Sequence, residues 1–232
     1  MKKIYLLITG PIRPNIDYIN FLIKRFKNLI THKITILLSY WKDEKIDKNL
    51  IKNADLIVIE NEPEDKKIFE KITSRTIQQI QLHPKIEQWT PNIYKMFYGI
   101  RKMVEYIENN SLIDDNDIVL RIRTDLYIDD CDIKNFNDLL NNIEKNTFYN
   151  RFRNHTCDWF SISSYNIFKK IWYIKNDDEH NNIIKNLFNA EAIIPYKCKL
   201  NKINIINIRN IINLCICREY TNENNKSLHR YG

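Results

Sequence analysis

Residues 117–132 read DIVLRIRTDLYIDDCD, and the reading of this stretch decides the fold. Ile118, Val119, Leu120 and Ile122 make an aliphatic, largely β-branched run behind the acidic turn residues Asp114, Asp115 and Asp117, the mark of a buried strand. Arg121, Arg123 and Asp125 follow at a spacing of two, which on one strand puts them on a single face, in a row towards its C-terminal end. Charges beside a core are costly, so the row calls for a reason. In open α/β sheets ligands bind outside the carboxyl ends of strands; an arginine pair reads phosphate and a carboxylate holds a hard cation. That points to an anionic, nucleotide-like ligand. The alternative is an edge strand whose charges pair with one another and with solvent.

Upstream of this stretch the pattern alternates. Residues 3–9 (KIYLLIT) form an apolar run that ends in Gly10-Pro11, a buried strand entering the loop that carries Arg13. Residues 15–30 space Ile16, Ile19, Leu22, Ile23, Phe26 and Leu29 as a helix, with Asn15 or Asp17 as cap. A second strand is expected at 33–41, a short polar helix at 44–53 and a third strand at 55–60. Strand and helix in alternation mean parallel pairing with right-handed crossovers, hence an α/β sheet. Segment 76–82 reads equally as helix or loop. Residues 91–108 are helical, with Pro91 in the first turn, and place Asn92 and Lys95 where free backbone amides favour an anion; ordinary solvated helix surface explains both residues as well.

Downstream, 132–146 reads as a helix, TFYNRF as a strand, and HTCDWFSISSYN as a loop or strand leading to a helix from about Ser164. Asp158 lies between Cys157 and Trp159-Phe160, and a carboxylate in such an aromatic stretch is either paired or raised in proton affinity, the second suiting a general base. A helix is expected at 180–188, Glu191 is a second isolated carboxylate, and residues 198–220 suggest strand, helical turn and strand, with 221–232 as a mobile tail.

Composition narrows the function classes. The 232 residues are 44% hydrophobic and 12% aromatic, enough for one large core. The net charge of +7 favours anionic partners, although 36 basic and 29 acidic residues are interspersed. Glycine occurs at positions 10, 99 and 232 alone, which excludes the glycine-rich dinucleotide fingerprint and the P-loop. The five cysteines have no zinc spacing, and the apolar run Ile4 to Ile8 is too short for a signal peptide. These features predict a cytoplasmic protein with reduced thiols, held at most peripherally at the inner face of a membrane.

The strand ending in GPIR, the helix opening PNIYKM, the strand VLRIRTD, the segment CDWFSISS and a later single glutamate together resemble the GT-A-type glycosyltransferases, in particular the WavE-like lipopolysaccharide-synthesis group. The resemblance spans roughly residues 3–195. It implies a single GT-A-like domain with a mixed, mostly parallel sheet flanked by helices, 1–130 forming the nucleotide-sugar half and 131–220 the acceptor half. It also implies transfer of a sugar from a nucleoside diphosphate to a hydroxyl of a surface glycan or lipid-linked glycan. Gly10 and Arg13 then match the loop that holds the nucleotide, with Asn92, Lys95, Arg121, Arg123 and Asp125 as further donor-site residues, while Asp158, and after it Glu191, match the catalytic carboxylate on the acceptor side. The family pattern has a D-x-D where this chain has Arg123-Thr124-Asp125, so Asp125 is the single acidic anchor for an implied Mn²⁺ or Mg²⁺, and Arg123 is placed to take over part of the cation's work. Two other readings compete: a non-catalytic nucleotide- or glycan-binding module, favoured if Asp125 and Asp158 lie far apart, and a nucleic-acid protein. The second is disfavoured because the aromatics fall at core spacing rather than along a basic stripe.

Overall fold

The computed structural model describes residues 2–43, 46–71, 86–151, 156–184, 187, 189–221 and 226–230, of which 69–71, 86–90, 218–221 and 226–230 are described by their backbone. The strands of the main sheet are β1 (Ile4–Thr9), β2 (Ile34–Trp41), β3 (Leu56–Glu60), β4 (Ile118–Arg123), β6 (Thr147–Asn150), β7 (Phe160–Ser164) and β8 (Asn204–Asn207). Their order is β3-β2-β1-β4-β7-β6-β8. β1, β2, β3 and β4 are mutually parallel, as are β6 and β8, whereas β7 runs antiparallel to β4 and β6. The expected mixed, mostly parallel α/β architecture is what forms. A smaller sheet, in the order β10-β9-β5, joins β5 (Leu126–Cys131), β9 (Ile212–Thr221) and β10 (Lys226–Arg230).

Side-chain alternation on the strands divides the core into two layers. Ile4, Leu6 and Ile8 of β1 and Ile118, Leu120 and Ile122 of β4 face α1 (Ile16–Leu29), α4 (Ile133–Asn141) and the inner side of the small sheet. Tyr5 and Leu7, with Val119, face α3 (Ile86–Asn109), α5 (Tyr165–Trp172), α6 (Asp177–Ile184) and α7 (Ala190–Leu200). The remaining short helix, α2, covers Asp65–Lys71. Asn15 caps α1 as expected, its side chain accepting from the Tyr18 N–H.

Several boundaries differ from the sequence reading. The organising stretch is two strands, not one. β4 stops at Arg123 because both neighbours end there: Thr9 is the last rung on β1 and Phe160 the first residue of β7. The chain turns at Thr124-Asp125 and continues as β5 in the other sheet. The helix expected at 91–108 begins at Ile86, so Pro91 sits inside it and not in its first turn. Of the polar helix at 44–53, a 3₁₀ turn at Lys48–Leu50 is what the described part holds. The expected mobile tail contains β10, which pairs with β9. Segment 76–82 lies outside the described residues.

The smaller sheet is tied to α1 close to the β4–β5 turn. The Tyr18 hydroxyl, fully buried, donates to the Leu126 carbonyl at 2.6 Å. Burial pushes the phenol's pKa far up from 10.0. A group raised in the folded state stabilises fully below its unfolded value, and that contribution is lost as pH rises past it. Tyr18→Phe should therefore cost about 1 kcal/mol in urea unfolding at pH 7, and the gap between variant and parent should narrow above pH 10.0.

Candidate functional site

A cleft of about 530 Å³ opens at the carboxyl ends of β1, β2 and β4, and Gly10, Arg13, Asn92, Lys95, Arg121, Arg123, Asp125, Asp158 and Glu191 all line it. The residues singled out in the sequence are thus brought together, and several of them are buried or paired there.

The floor begins at the end of β1. Gly10 has φ +128, a conformation that L side chains rarely adopt, and its N–H donates to the Ser39 carbonyl, turning the chain out over the sheet. The loop that follows is held down by the Thr124 hydroxyl, which donates to the Pro11 carbonyl, and it leaves Arg13 exposed.

Arg121 is buried beneath the cleft and paired there. Its guanidinium is 1% exposed and stacks on the Trp172 ring, 4.4 Å from the centroid. Nε donates to Thr9 Oγ1 at 3.3 Å and Nη1 to the Asp158 carbonyl. Burial pulls its pKa down to about 10, against the pull of Asp158, and the neighbouring charge of Arg123 lowers it further. It stays cationic at neutral pH, a fixed positive charge beneath the cleft.

Arg123, by contrast, is partly open, with its side chain 27% exposed. Its Nε and Nη2 donate to the two carboxylate oxygens of Asp125 at 3.0 and 2.8 Å, and Nη1 lies 3.6 Å from Asp158 Oδ2. Burial disfavours its charge, yet Asp125 and Asp158 outweigh that and raise its pKa. Asp125 and Asp158 are therefore close neighbours that share one guanidinium, and the wide separation that would favour a purely binding module is not what the chain forms. Asp158 is paired with Arg123, one of the two arrangements expected for it.

The bend that carries Asp158 is fixed by Asn150, a fully buried residue at the end of β6. Its Nδ2 donates to the Cys157 and Phe160 carbonyls at 2.8 and 2.7 Å, and its Oδ1 accepts from the Cys157 N–H at 2.7 Å. Thr156 then donates to the Glu191 carbonyl at 2.6 Å, joining this bend to the first turn of α7, where Glu191 enters the cleft. Trp159 and Phe160 do not line the cleft: Phe160 is wholly buried in the α1-side core, and Trp159 packs against that core beneath the Arg151 guanidinium. The apolar wall comes instead from Trp41, Ile93 and Met96. Trp41 is seated against Gly99 of α3, where a Cβ would come within 3.1 Å of the indole.

Asn92 and Lys95 reach the cleft from the second and third turns of α3, so the open helix start invoked for them is absent: the backbone amides there are already within the helix. Lys95 is paired with Glu62 at 2.8 Å and Asp65 at 2.6 Å, across to the β3–α2 connection.

The donor set does not fit the implied Mn²⁺ or Mg²⁺ at Asp125. Such ions take carboxylate oxygens at roughly 2.1 Å in an octahedral shell, whereas both oxygens of Asp125, itself 2% exposed, are held by a guanidinium. Among the described residues no group of three or more His, Cys, Asp or Glu side chains is placed to hold a metal.

No family model matches the chain, and no curated protein matches it. Among solved structures, it is similar to mouse xyloside xylosyltransferase 1 in its apo form, with 6% identity and a TM-score of 0.43 over 90% of this chain and 85% of that one. It is also similar to the apo-form glycosyltransferase GlyE of Streptococcus pneumoniae TIGR4, with 8% identity and a TM-score of 0.44 over 90% of this chain and 46% of that one.

Asn150 was missed in the sequence, where one asparagine at a strand end carries no signal. Asn150→Ala would leave the Cys157 N–H and two carbonyls without their partner. A loss of about 2–4 kcal/mol is expected in urea unfolding.

Proposed function

We propose that the cleft binds a nucleoside-diphosphate sugar and transfers the sugar to a hydroxyl of a glycan. One observation carries this reading: Gly10, Arg13, Arg123, Asp125, Asp158 and Glu191, from segments far apart in the chain, line a single cleft at the carboxyl ends of β1 and β4. That is where an open α/β sheet receives a phosphorylated ligand. The diphosphate is assigned to the side of Arg123 and Arg13, and the nucleoside to the wall of Trp41, Ile93 and Met96.

In the reaction the acceptor oxygen attacks the anomeric carbon of the donor. The new glycosidic bond forms as the bond from that carbon to the diphosphate oxygen breaks, and the bonding pair leaves with the diphosphate. The hydroxyl proton passes to the carboxylate of Asp158, whose side chain is 13% exposed and borders the cleft. Arg123, beside Asp158 and more exposed than the buried Arg121, meets the charge that develops on the leaving group. Glu191 at the mouth of α7 is the second candidate for the base.

The acceptor class assigned is a surface glycan or lipid-linked glycan of the lipopolysaccharide or capsule kind, and the narrower WavE-like likeness rests on the RTD and DWF motifs. A cytoplasmic site at the inner face of a membrane is the matching location. Among the described residues no helix is long and apolar enough to cross a membrane. The non-catalytic binding module is the lesser reading, since a carboxylate at the cleft edge serves no obvious purpose in retaining a diphosphate.

Asp158→Asn keeps the size of the side chain and removes the proton acceptor, so transfer should fall roughly 10²- to 10⁴-fold while donor affinity changes little. Glu191→Gln, measured beside it by nucleotide-sugar titration and single-turnover transfer, should fall far less. Near-full turnover in Asp158→Asn with loss in Glu191→Gln would move the base to Glu191. Loss of donor binding in both would make the two carboxylates structural.

A further inference from the structure

Building on the donor site just assigned, we propose that this cleft takes its diphosphate without a divalent cation, the guanidinium of Arg123 standing where a metal ion would. The first ground is the occupation of Asp125. Its carboxylate accepts two hydrogen bonds from Arg123 in the fork geometry that arginine forms with carboxylates, and it lies beneath the surface at 2% exposure. A metal at a remaining lone pair of this buried carboxylate would stand within a few ångströms of the guanidinium, and the two cations would crowd the same oxygens.

The second ground is the charge beneath. Arg121 is fixed under the same turn by Trp172, Thr9 and the Asp158 carbonyl. Two guanidiniums set side by side repel a divalent cation and attract an anion. Their mutual repulsion is visible in the downward pull of Arg123 on the pKa of Arg121. The third ground is the donor inventory of Arg123: of its five N–H donors Asp125 engages Nε and Nη2, while Nη1 faces Asp158 at 3.6 Å, longer than a hydrogen bond. Donors on the exposed edge remain for phosphate oxygens, and Asp125 holds the plane of the guanidinium as they arrive. The role of Asp125 is to orient a cation, not to ligate one.

The test is calorimetric titration of inorganic pyrophosphate, UDP, GDP and CDP into the purified chain, once in EDTA and once in excess Mn²⁺, with Arg123→Lys alongside. Arg123→Lys keeps the charge next to Asp125 and so preserves the fold, checked by its melting temperature, but it loses the planar fork. The expected result is that at least one of these diphosphates binds with affinities within about threefold in the two buffers, and that Arg123→Lys weakens it about tenfold or more in both. Binding that appears only with Mn²⁺ would overturn the inference and leave the donor site standing. Equal binding by Arg123→Lys and the parent in EDTA would also overturn it, because the cation would then be another residue. Binding of none of the four in either buffer would remove the donor site itself, and the inference with it.

Discussion

The site depends on one guanidinium shared by two carboxylates. Arg123 ends β4, Asp125 lies in the turn just after it, and Asp158 lies in the bend before β7, so the ion pairs join segments that the chain brings together only through the sheet. Asp125 is nearly inaccessible, and a carboxylate there without its partner would be an uncompensated buried charge, a cost of about 3–5 kcal/mol. The constraint runs in both directions. The turn cannot open without exposing Asp125, and Arg123 cannot swing freely towards solvent without leaving it. A cation that the fold itself immobilises loses little conformational freedom when a ligand arrives, which is the condition for efficient electrostatic stabilisation of a leaving group.

Much of the fold was legible because the central strands are buried on both faces and read as continuous apolar runs. β1, β2 and β3 sit within a residue of their expected bounds, and α1 does too, with Asn15 as its cap. The misreadings have a common cause. β4 and β5 look like one strand, DIVLRIRTDLYIDD, because local pattern says nothing about where the neighbouring strands stop. The C-terminal segment reads as a tail since β10 is mostly polar and its pairing with β9 is not written in its own residues. Pro91 misled as a helix opener although α3 had already begun at Ile86.

At the site, membership was legible and roles were not. Polar residues at the ends of apolar strands, such as Gly10, Arg123 and Asp125, are conspicuous in sequence and do face the cleft. Whether a charge there meets solvent or a neighbour is a tertiary matter. Arg121 and Arg123 are two residues apart on the same face, yet one lies under Trp172 and the other is a quarter exposed, because α5 covers only the first. Trp159 and Phe160 follow Asp158 in sequence, but both pack against the α1-side core and neither lines the cleft. Trp41, which does line the cleft, carried a readable signal as a tryptophan at a strand's carboxyl end; Asn150 and Thr124 carried none.

The direction of β7 is what makes a two-sided site geometrically available. In a fully parallel sheet the connection preceding a strand lies at the amino end, away from the ligand side. β7 runs antiparallel to β4, with Phe160 opposite Ile122, so the bend before it falls at the carboxyl end of β4. Asp158 is thereby delivered to the edge where Arg123 emerges, and the Arg123 N–H closes the corner by donating to the Trp159 carbonyl at 3.1 Å. Because β6 is again parallel to β4, its last residue, Asn150, ends at that same edge and can clamp the bend from the far side. One reversed strand thus sets a carboxylate in the same cleft as the loop after β1, and the chain's charges are arranged around that reversal.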